Sequence, residues 1–255
     1  MGDNPGRIRL WAVGVWLAAW QALGMSMAAL WPHGGLLLPT PSAVLACLGR
    51  LALTPAFWRT VGWSSLRILG GFLLSCLAAV LCAALSARFQ RFRELMAPAV
   101  AAVKAVPVVS FIILALVWLD ERHLSLLIAG LMVFPPVYLN TLAGIAGADR
   151  KLLEMAEVFR IPFRRRLWGI WLPAVLPHFR SACSLSLGLC WKAGLAAEVI
   201  GLPAGSLGER LYQAKIYFEM PELFAWTMTV VAAAALFERM FFLLVDALAG
   251  KAGCA

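Results

Sequence analysis

LLEMAEVFRIPFRRRLWGIWLPAVLPHF, residues 152–179, is the stretch on which the reading of this chain turns. Acidic residues come first, Glu154 and Glu157. A basic run follows, Arg160, Arg164, Arg165 and Arg166, and an apolar segment with Pro173 and Pro177 closes it. Sequence apolar enough for a membrane lies on both sides. A protein that only had to sit in lipid has no use for so polar an insert, so the stretch reads as a docking surface for a cytoplasmic partner. Residues 152–159 contain good helix formers, Leu, Glu, Met and Ala, and Asp149 is placed to cap their start. Pro162 disfavours the helical conformation at Ile161 and suits the first turn of a second helix, expected over 163–172. Two short helices with a bend between them make a compact protrusion. In it, small Ala156 permits close approach of another backbone and Glu154 offers a charged anchor. An interfacial hairpin with snorkelling arginines is the other arrangement these residues allow.

The flanking sequence decides the class. The chain has 255 residues, of which 62% are hydrophobic, against roughly 45–50% in ordinary soluble domains, and its mean hydropathy is +0.85. The excess falls in blocks of about 20 residues, the length that spans a hydrocarbon core. The fold class is therefore all-α, a polytopic membrane protein with about six transmembrane helices and a cytoplasmic insert. Spans are expected at 10–30, 61–85, 95–119, 124–147, 172–200 and 223–248. Residues 42–51 have apolar residues at helical spacing, with Ser42 as N-cap, and are too short to span; they read as an amphipathic helix at the outer face. The chain divides into 1–60, a first span plus that outer segment, and 61–250, a core of five spans carrying the insert at 148–173. The run after Arg9 is too long for a signal-peptide core and lacks a cleavage site.

Six spans place both termini on one side. With the N-terminus inside, the inner segments carry Arg7, Arg9, Arg88, Arg91, Arg93, Arg150, Lys151, Arg160, Arg164, Arg165, Arg166, Arg180 and Lys251. The outer segments carry Arg50, Arg59, Arg122, Arg210 and Lys215, so the count is 13 against 5. Arg67, Lys104, Lys192 and Arg239 remain within spans. The excess of basic residues on cytoplasmic loops puts 148–171 and both termini in the cytoplasm. The net charge of +9 is explained by topology, and no nucleic-acid motif accompanies it. Six scattered cysteines form no CxxC or metal spacing and read as small buried thiols. Three histidines lie far apart at the edges of apolar runs, so neither a metal site nor a catalytic residue is assigned.

Glu154–Met155–Ala156, followed by Ile170 and Leu172–Pro173, resembles the EAA loop of bacterial ABC importer permeases, the transmembrane subunits of binding-protein-dependent transport systems. Leu38–Pro39–Thr40–Pro41–Ser42, Ser65–Leu66–Arg67 with Gly70–Gly71–Phe72, and Lys104–Ala105–Val106–Pro107 resemble further segments of its nitrate, sulfonate and taurine branch. So do Asn140–Thr141–Leu142–Ala143–Gly144, Trp191 with Ala197–Glu198, and Gly205–Ser206–Leu207–Gly208. The ordered set covers about 38 to 248. Two positions depart from the pattern. Met155 replaces the first Ala, and Arg160 stands where the family has a Gly that turns the chain with positive φ, a conformation costing another residue roughly 1–2 kcal/mol. The bend is therefore expected to depend on Ile161–Pro162.

The resemblance implies a type I ABC importer permease fold. Glu154, Met155, Ala156, Arg160, Ile170, Leu172 and Pro173 would then couple to an ATP-binding subunit. No GxxxxGK[ST] phosphate loop is present, so this chain is not an enzyme and holds no cofactor; ATP and Mg belong to the partner ATPase. Implied partners are two copies of that subunit, a second permease chain as a homodimer, and an extracytoplasmic substrate-binding protein. That protein would dock on 31–60, 120–123 and 201–222, and the setting would be the bacterial inner membrane. The substrate class is a small anion or sulfonate such as nitrate, taurine or an alkanesulfonate.

Charged residues inside spans are functional candidates. The candidate substrate path holds Lys192, Trp191, Glu198 and Lys104. For Lys192 three roles stand open: attracting an anion, pairing internally, or facing a polar seam between two chains. Lys104 either lines the path or snorkels, Arg67 is expected to snorkel at the outer end, and Glu238–Arg239 to pair with neighbouring helices. Two alternatives are an intramembrane enzyme and a secondary carrier. The first needs a Ser–His pair, paired Asp or a metal cluster within the membrane, yet Asp3, Asp120, Asp149 and Asp246 all fall near span ends. The second needs no docking loop.

Overall fold

A computed structural model describes residues 10–30 and 37–251. The expectations for Arg7, Arg9, His33, Cys254 and the segment 31–36 lie outside these residues. The elements in chain order are α1 (Leu10–Leu30), α2 (Pro41–Ala52), α3 (Pro55–Arg88), α4 (Gln90–Ala105), α5 (Val108–Ala115), α6 (Glu121–Ala146) and α7 (Arg150–Val158). Then come α8 (Phe163–Arg166), a π-helical turn (Leu167–Trp171), α9 (Leu172–Gly201), α10 (Leu207–Ile216) and α11 (Met220–Lys251). Five stretches are long and apolar enough to cross a membrane: α1, α3, α6, α11 and the continuous Phe163–Gly201.

The expected third span, 95–119, is not one helix. It is the pair α4 and α5, bent by 102°. Pro107 is the physical reason: Val106 before it is extended at φ −81°, ψ 132°, and Pro107 itself is the N-cap of α5. A residue preceding proline is pushed out of the α region. The pair still carries the chain from one end of the bundle to the other. It starts just after Arg88, and Ile112 and Ala115 of α5 pack against Leu124, Ile128, Ala193 and Ala197 near the opposite end.

The core is a three-helix contact in which α6 packs along both α3 and α9. Successive contacts, Gly71 with Leu126 and Gly130, Ser75 with Gly130, and Ser86 with Tyr138, show that α3 and α6 run parallel. Contacts of Ser64 with Glu198 and of Ile68 with Gly194 show that α9 runs against them. The α3–α6 crossing depends on Gly71. A Cβ there would lie 2.2 Å from the Leu126 carbonyl oxygen, inside any permitted approach. Ser75 Oγ donates to the Gly130 carbonyl at 2.6 Å beside it. Small residues at helix crossings are the means by which membrane helices gain van der Waals contact, since lipid supplies no hydrophobic drive between them.

α11 closes the bundle through aromatic side chains. Phe57 stacks on Trp226 at 5.1 Å, and Phe72, fully buried, meets Phe237 and Phe241 edge-on at 6.1 and 5.2 Å. At the far end Arg180 makes a two-pronged ion pair with Asp246, at 2.6 and 3.1 Å, while stacking on Phe242. Leu73, Leu74, Leu77, Leu81 and Leu85 of α3 are exposed, the row expected to meet lipid. The thiols of Cys47, Cys76, Cys183 and Cys190 are buried, and that of Cys82 is half-buried.

The amphipathic helix of the outer segment exists as α2, but its N-cap lies two residues earlier than expected. Its N-cap is Thr40, whose Oγ1 accepts from the Ala43 amide at 3.4 Å, and Pro41 occupies the first helical position. Proline at that position loses no hydrogen bond, so it displaces Ser42 from the cap.

Candidate functional site

The polar insert folds at the end of the bundle opposite α2 and α10. Asp149 caps α7, its carboxylate accepting from the Lys151 amide at 2.8 Å. Ala156 is fully buried, whereas Glu154, Met155 and Glu157 are exposed. The helix ends at Val158, earlier than Pro162 alone would require. Arg160 itself takes the left-handed conformation, φ +48°. The Ile161 amide donates to the Ala156 carbonyl at 2.9 Å and the Arg160 amide to the Glu157 carbonyl at 3.0 Å. These are the two bonds of a Schellman cap. The expected dependence of the bend on Ile161–Pro162 is thus only half of the account: the turn has positive φ at the very position where the family has Gly. One further contact holds it. Arg166 Nε donates to the Ile161 carbonyl at 2.9 Å, offsetting part of the conformational cost at Arg160.

The second short helix is not separate. α8 continues through the π turn into α9, giving a 39-residue rod of about 58 Å at 1.5 Å per residue. A hydrocarbon core takes only about 30 Å of it, so its first half extends beyond that thickness. The π turn precedes Pro173: the Leu172 amide reaches back to Leu167, one residue further than in an α-helix, and this register shift accommodates a proline without an amide proton. Ile170 and Leu172 are half-buried in and after that turn and Pro173 is exposed. At the tip, Val158, Phe159 and Phe163 are 78%, 73% and 71% exposed beside exposed Arg160, Arg164 and Arg165. Three large apolar side chains presented among charges mark an interaction surface.

The in-span candidates separate. Lys192 is exposed on α9 and Lys104 is exposed at the end of α4. Trp191 is 3% exposed and Glu198 is 0% exposed, so the fold does not bring Lys192 together with its two sequence neighbours. Glu198 instead anchors a polar junction at the α2 end. Ser64 Oγ donates to Glu198 Oε2 at 2.7 Å, and the Leu207 amide donates to Ser64 Oγ at 2.9 Å. The Gly208 amide reaches Glu198 Oε2 at 3.3 Å. Arg67, expected to snorkel, lies with Nη1 3.9 Å from Glu198 Oε1. The junction ties α3, α9 and the start of α10 at one point. Gly208 makes it possible: a Cβ there would meet Glu198 backbone and side chain at 2.3–2.4 Å. Glu238 and Arg239 are both exposed on α11.

Next to this junction is a cavity of about 550 Å³ lined by Arg59, Arg67, Arg122 and Arg210, with Trp63 and Thr60. Its arginines come from α3, α6 and α10. Charge counting assigned Arg59, Arg122 and Arg210 to three different outer segments and left Arg67 within a span, and nothing in their spacing along the chain signals that they converge.

Known proteins share this arrangement of sequence. The chain is 31% identical to a putative aliphatic sulfonates transport permease protein, SsuC, of Bacillus subtilis, over 87% of this chain and 81% of the relative. It is 26% identical to the riboflavin transport system permease protein RibX of Chloroflexus aurantiacus, over 87% and 90% of the two chains. It is 24% identical to the taurine transport system permease protein TauC of Escherichia coli, over 87% and 82%. The family described as binding-protein-dependent transport system inner membrane component matches residues 71–251, from the Gly71 crossing through α7 to the end of α11. With its membrane-spanning helices, its small-residue crossings and its capped polar insert, the chain is a multi-pass transport subunit belonging to the binding-protein-dependent transport system inner membrane component family.

Proposed function

We propose that this chain forms the substrate path of an ATP-driven importer and is coupled to a separate ATP-binding subunit through α7. The observation that carries the reading is the α7 tip. Glu154 is exposed on a capped helix, Ala156 is buried beneath it, and Val158, Phe159 and Phe163 stand unprotected among arginines. A groove on an ATPase that accepts this tip would bury the apolar side chains and pair the charges. Because α7 is rigidly capped at both ends and continuous through one turn with the 39-residue rod, displacement of the tip would be transmitted along α9 to Glu198.

The same reading places the α7 end and both termini in the cytoplasm of a bacterial inner membrane, in line with the count of basic residues. It supplies two ATP-binding subunits, a second copy of this chain and an extracytoplasmic binding protein facing α2 and α10. The substrate is a small anion, with a sulfonate favoured by the names of the aliphatic sulfonate and taurine relatives.

Co-expression with the neighbouring genes and extraction in mild detergent tests the assembly; a preparation that never carries an ATP-binding subunit would overturn it. Glu154→Lys tests the contact. The substituted side chain remains in solvent, so the chain inserts and folds, while transport and stimulated ATP hydrolysis fall by at least tenfold, the loss expected when a charged anchor worth about 1.4 kcal/mol or more is reversed. Undiminished transport would remove Glu154 from the interface.

A further inference from the structure

We propose that the four-arginine cavity at the α2 end is a capture vestibule for a small organic anion with a sulfonate-like head group. The inference rests on the importer reading for its place in transport, and names a site which that reading does not contain. Arg59 and Arg67 come from α3, Arg122 from the first turn of α6, and Arg210 from α10. Among the described residues, no carboxylate lines the cavity. Glu198 lies behind Arg67 at 3.9 Å and is wholly buried, so it offsets one of the four charges. Glu209 accepts from the Gly205 amide and from Gln213 at the edge of the cavity, and offsets a second. Four arginines against these two flanking carboxylates leave the cavity with an excess of positive charge in a concave setting, where field lines are focused and anions accumulate.

Cations that line one cavity repel one another, and an anion offsets that repulsion. The guanidinium group is planar and presents paired donors that match two oxygens of a sulfonate at once. Trp63, half-exposed at 49%, gives the cavity an apolar wall for a short carbon tail, and buried Thr60 lines it as well. A volume of about 550 Å³ is within the range of small-molecule sites. It is large enough for a head group and a few carbons.

The test uses the purified full chain in neutral phosphatidylcholine nanodiscs, with ethanesulfonate as probe and sodium chloride of equal ionic strength as reference. Calorimetry is expected to show saturable ethanesulfonate binding, with none for ethylammonium. Arg59 and Arg122 are exposed, so Arg59→Gln and Arg122→Gln should fold normally; each is expected to weaken binding about tenfold, the scale of a lost charge-assisted bond. Arg59→Lys should recover part of that loss. Trp63→Ala should weaken ethanesulfonate while sparing nitrate, which has no tail. Arg88→Gln, at the other end of the bundle, should bind as the unsubstituted chain does. Absence of saturable ethanesulfonate binding above the chloride reference overturns the proposal. So does unaltered binding by both glutamine variants, including the case in which they lose only transport delivered by the binding protein, which would make the cavity a seat for that protein's carboxylates. Anion capture by a chain that never recruits an ATP-binding subunit would uphold the vestibule and remove the importer reading instead.

Discussion

Gly208→Ala measures how much of the bundle depends on the junction at Glu198. The new Cβ would lie 2.3 Å from the Glu198 carbonyl carbon, 2.4 Å from its Cβ and 2.5 Å from the Val199 nitrogen. None of these atoms is the free end of a flexible side chain, so the start of α10 must move away from α9. Overpacking of this kind costs about 1–3 kcal/mol. The same movement stretches the Gly208 amide bond to Glu198, already 3.3 Å, and a hydrogen bond to a charged group is worth about 1.5–3 kcal/mol. The two losses share one displacement, so their sum is counted only in part, and the expected destabilisation is about 3 kcal/mol. Cys183 and Cys190 are fully buried, which makes a thiol-reactive dye a direct reporter of unfolding in detergent. The variant should unfold at markedly lower temperature than Gly62→Ala, where no atom lies within 4 Å of the new Cβ. Alanine at an exposed helical site gains about 0.5–1 kcal/mol over glycine. If Gly208→Ala unfolds within about 0.5 kcal/mol of the unsubstituted protein, the scatter of ordinary surface changes, the junction does not hold α3, α9 and α10 together.

Two further outcomes bear on the architecture. Arg160→Gly should keep the turn and stabilise it by about 1 kcal/mol, since glycine has no penalty at positive φ, with part of the gain lost to a freer unfolded chain; a destabilised variant in the same dye assay would mean that the Arg160 side chain matters more than its backbone. Phe72→Ala removes the ring between Phe237 and Phe241. Lipid is as apolar as the ring's site, so only the cavity and lost contacts remain of the usual about 3–5 kcal/mol for buried Phe, and about 2 kcal/mol is expected, read as earlier dye labelling of Cys183 and Cys190.

Much of the molecule was legible in the residues because membranes impose local rules. A run of about 20 apolar residues is a span wherever it occurs, so five of the six expected crossings appear as long helices. Asp149 as a cap, the end of α7 before Pro162 and the exposure of Glu154 follow from neighbours within a few positions. The same local reasoning misplaced the cap of α2 by two residues, because Pro41 competes with Ser42 for the helix start. It also made 163–172 a separate helix, where the π turn passes Pro173 without a break.

The distant relations were invisible. Ser64 and Glu198 are 134 positions apart, and neither residue has a pattern around it that names the other. Arg67 looked like a side chain reaching for water because it sat near a span end; the fold turns it towards Glu198 and into a cavity with three other arginines. Hydropathy and charge counting specify how many times the chain crosses, which end carries the insert and which residues can cap a helix, since those depend on a residue's own solvent and its nearest neighbours. The rotation of each helix about its axis and the meeting of Arg59, Arg67, Arg122 and Arg210 were decided only by tertiary packing, through the close approaches that Gly71 and Gly208 allow.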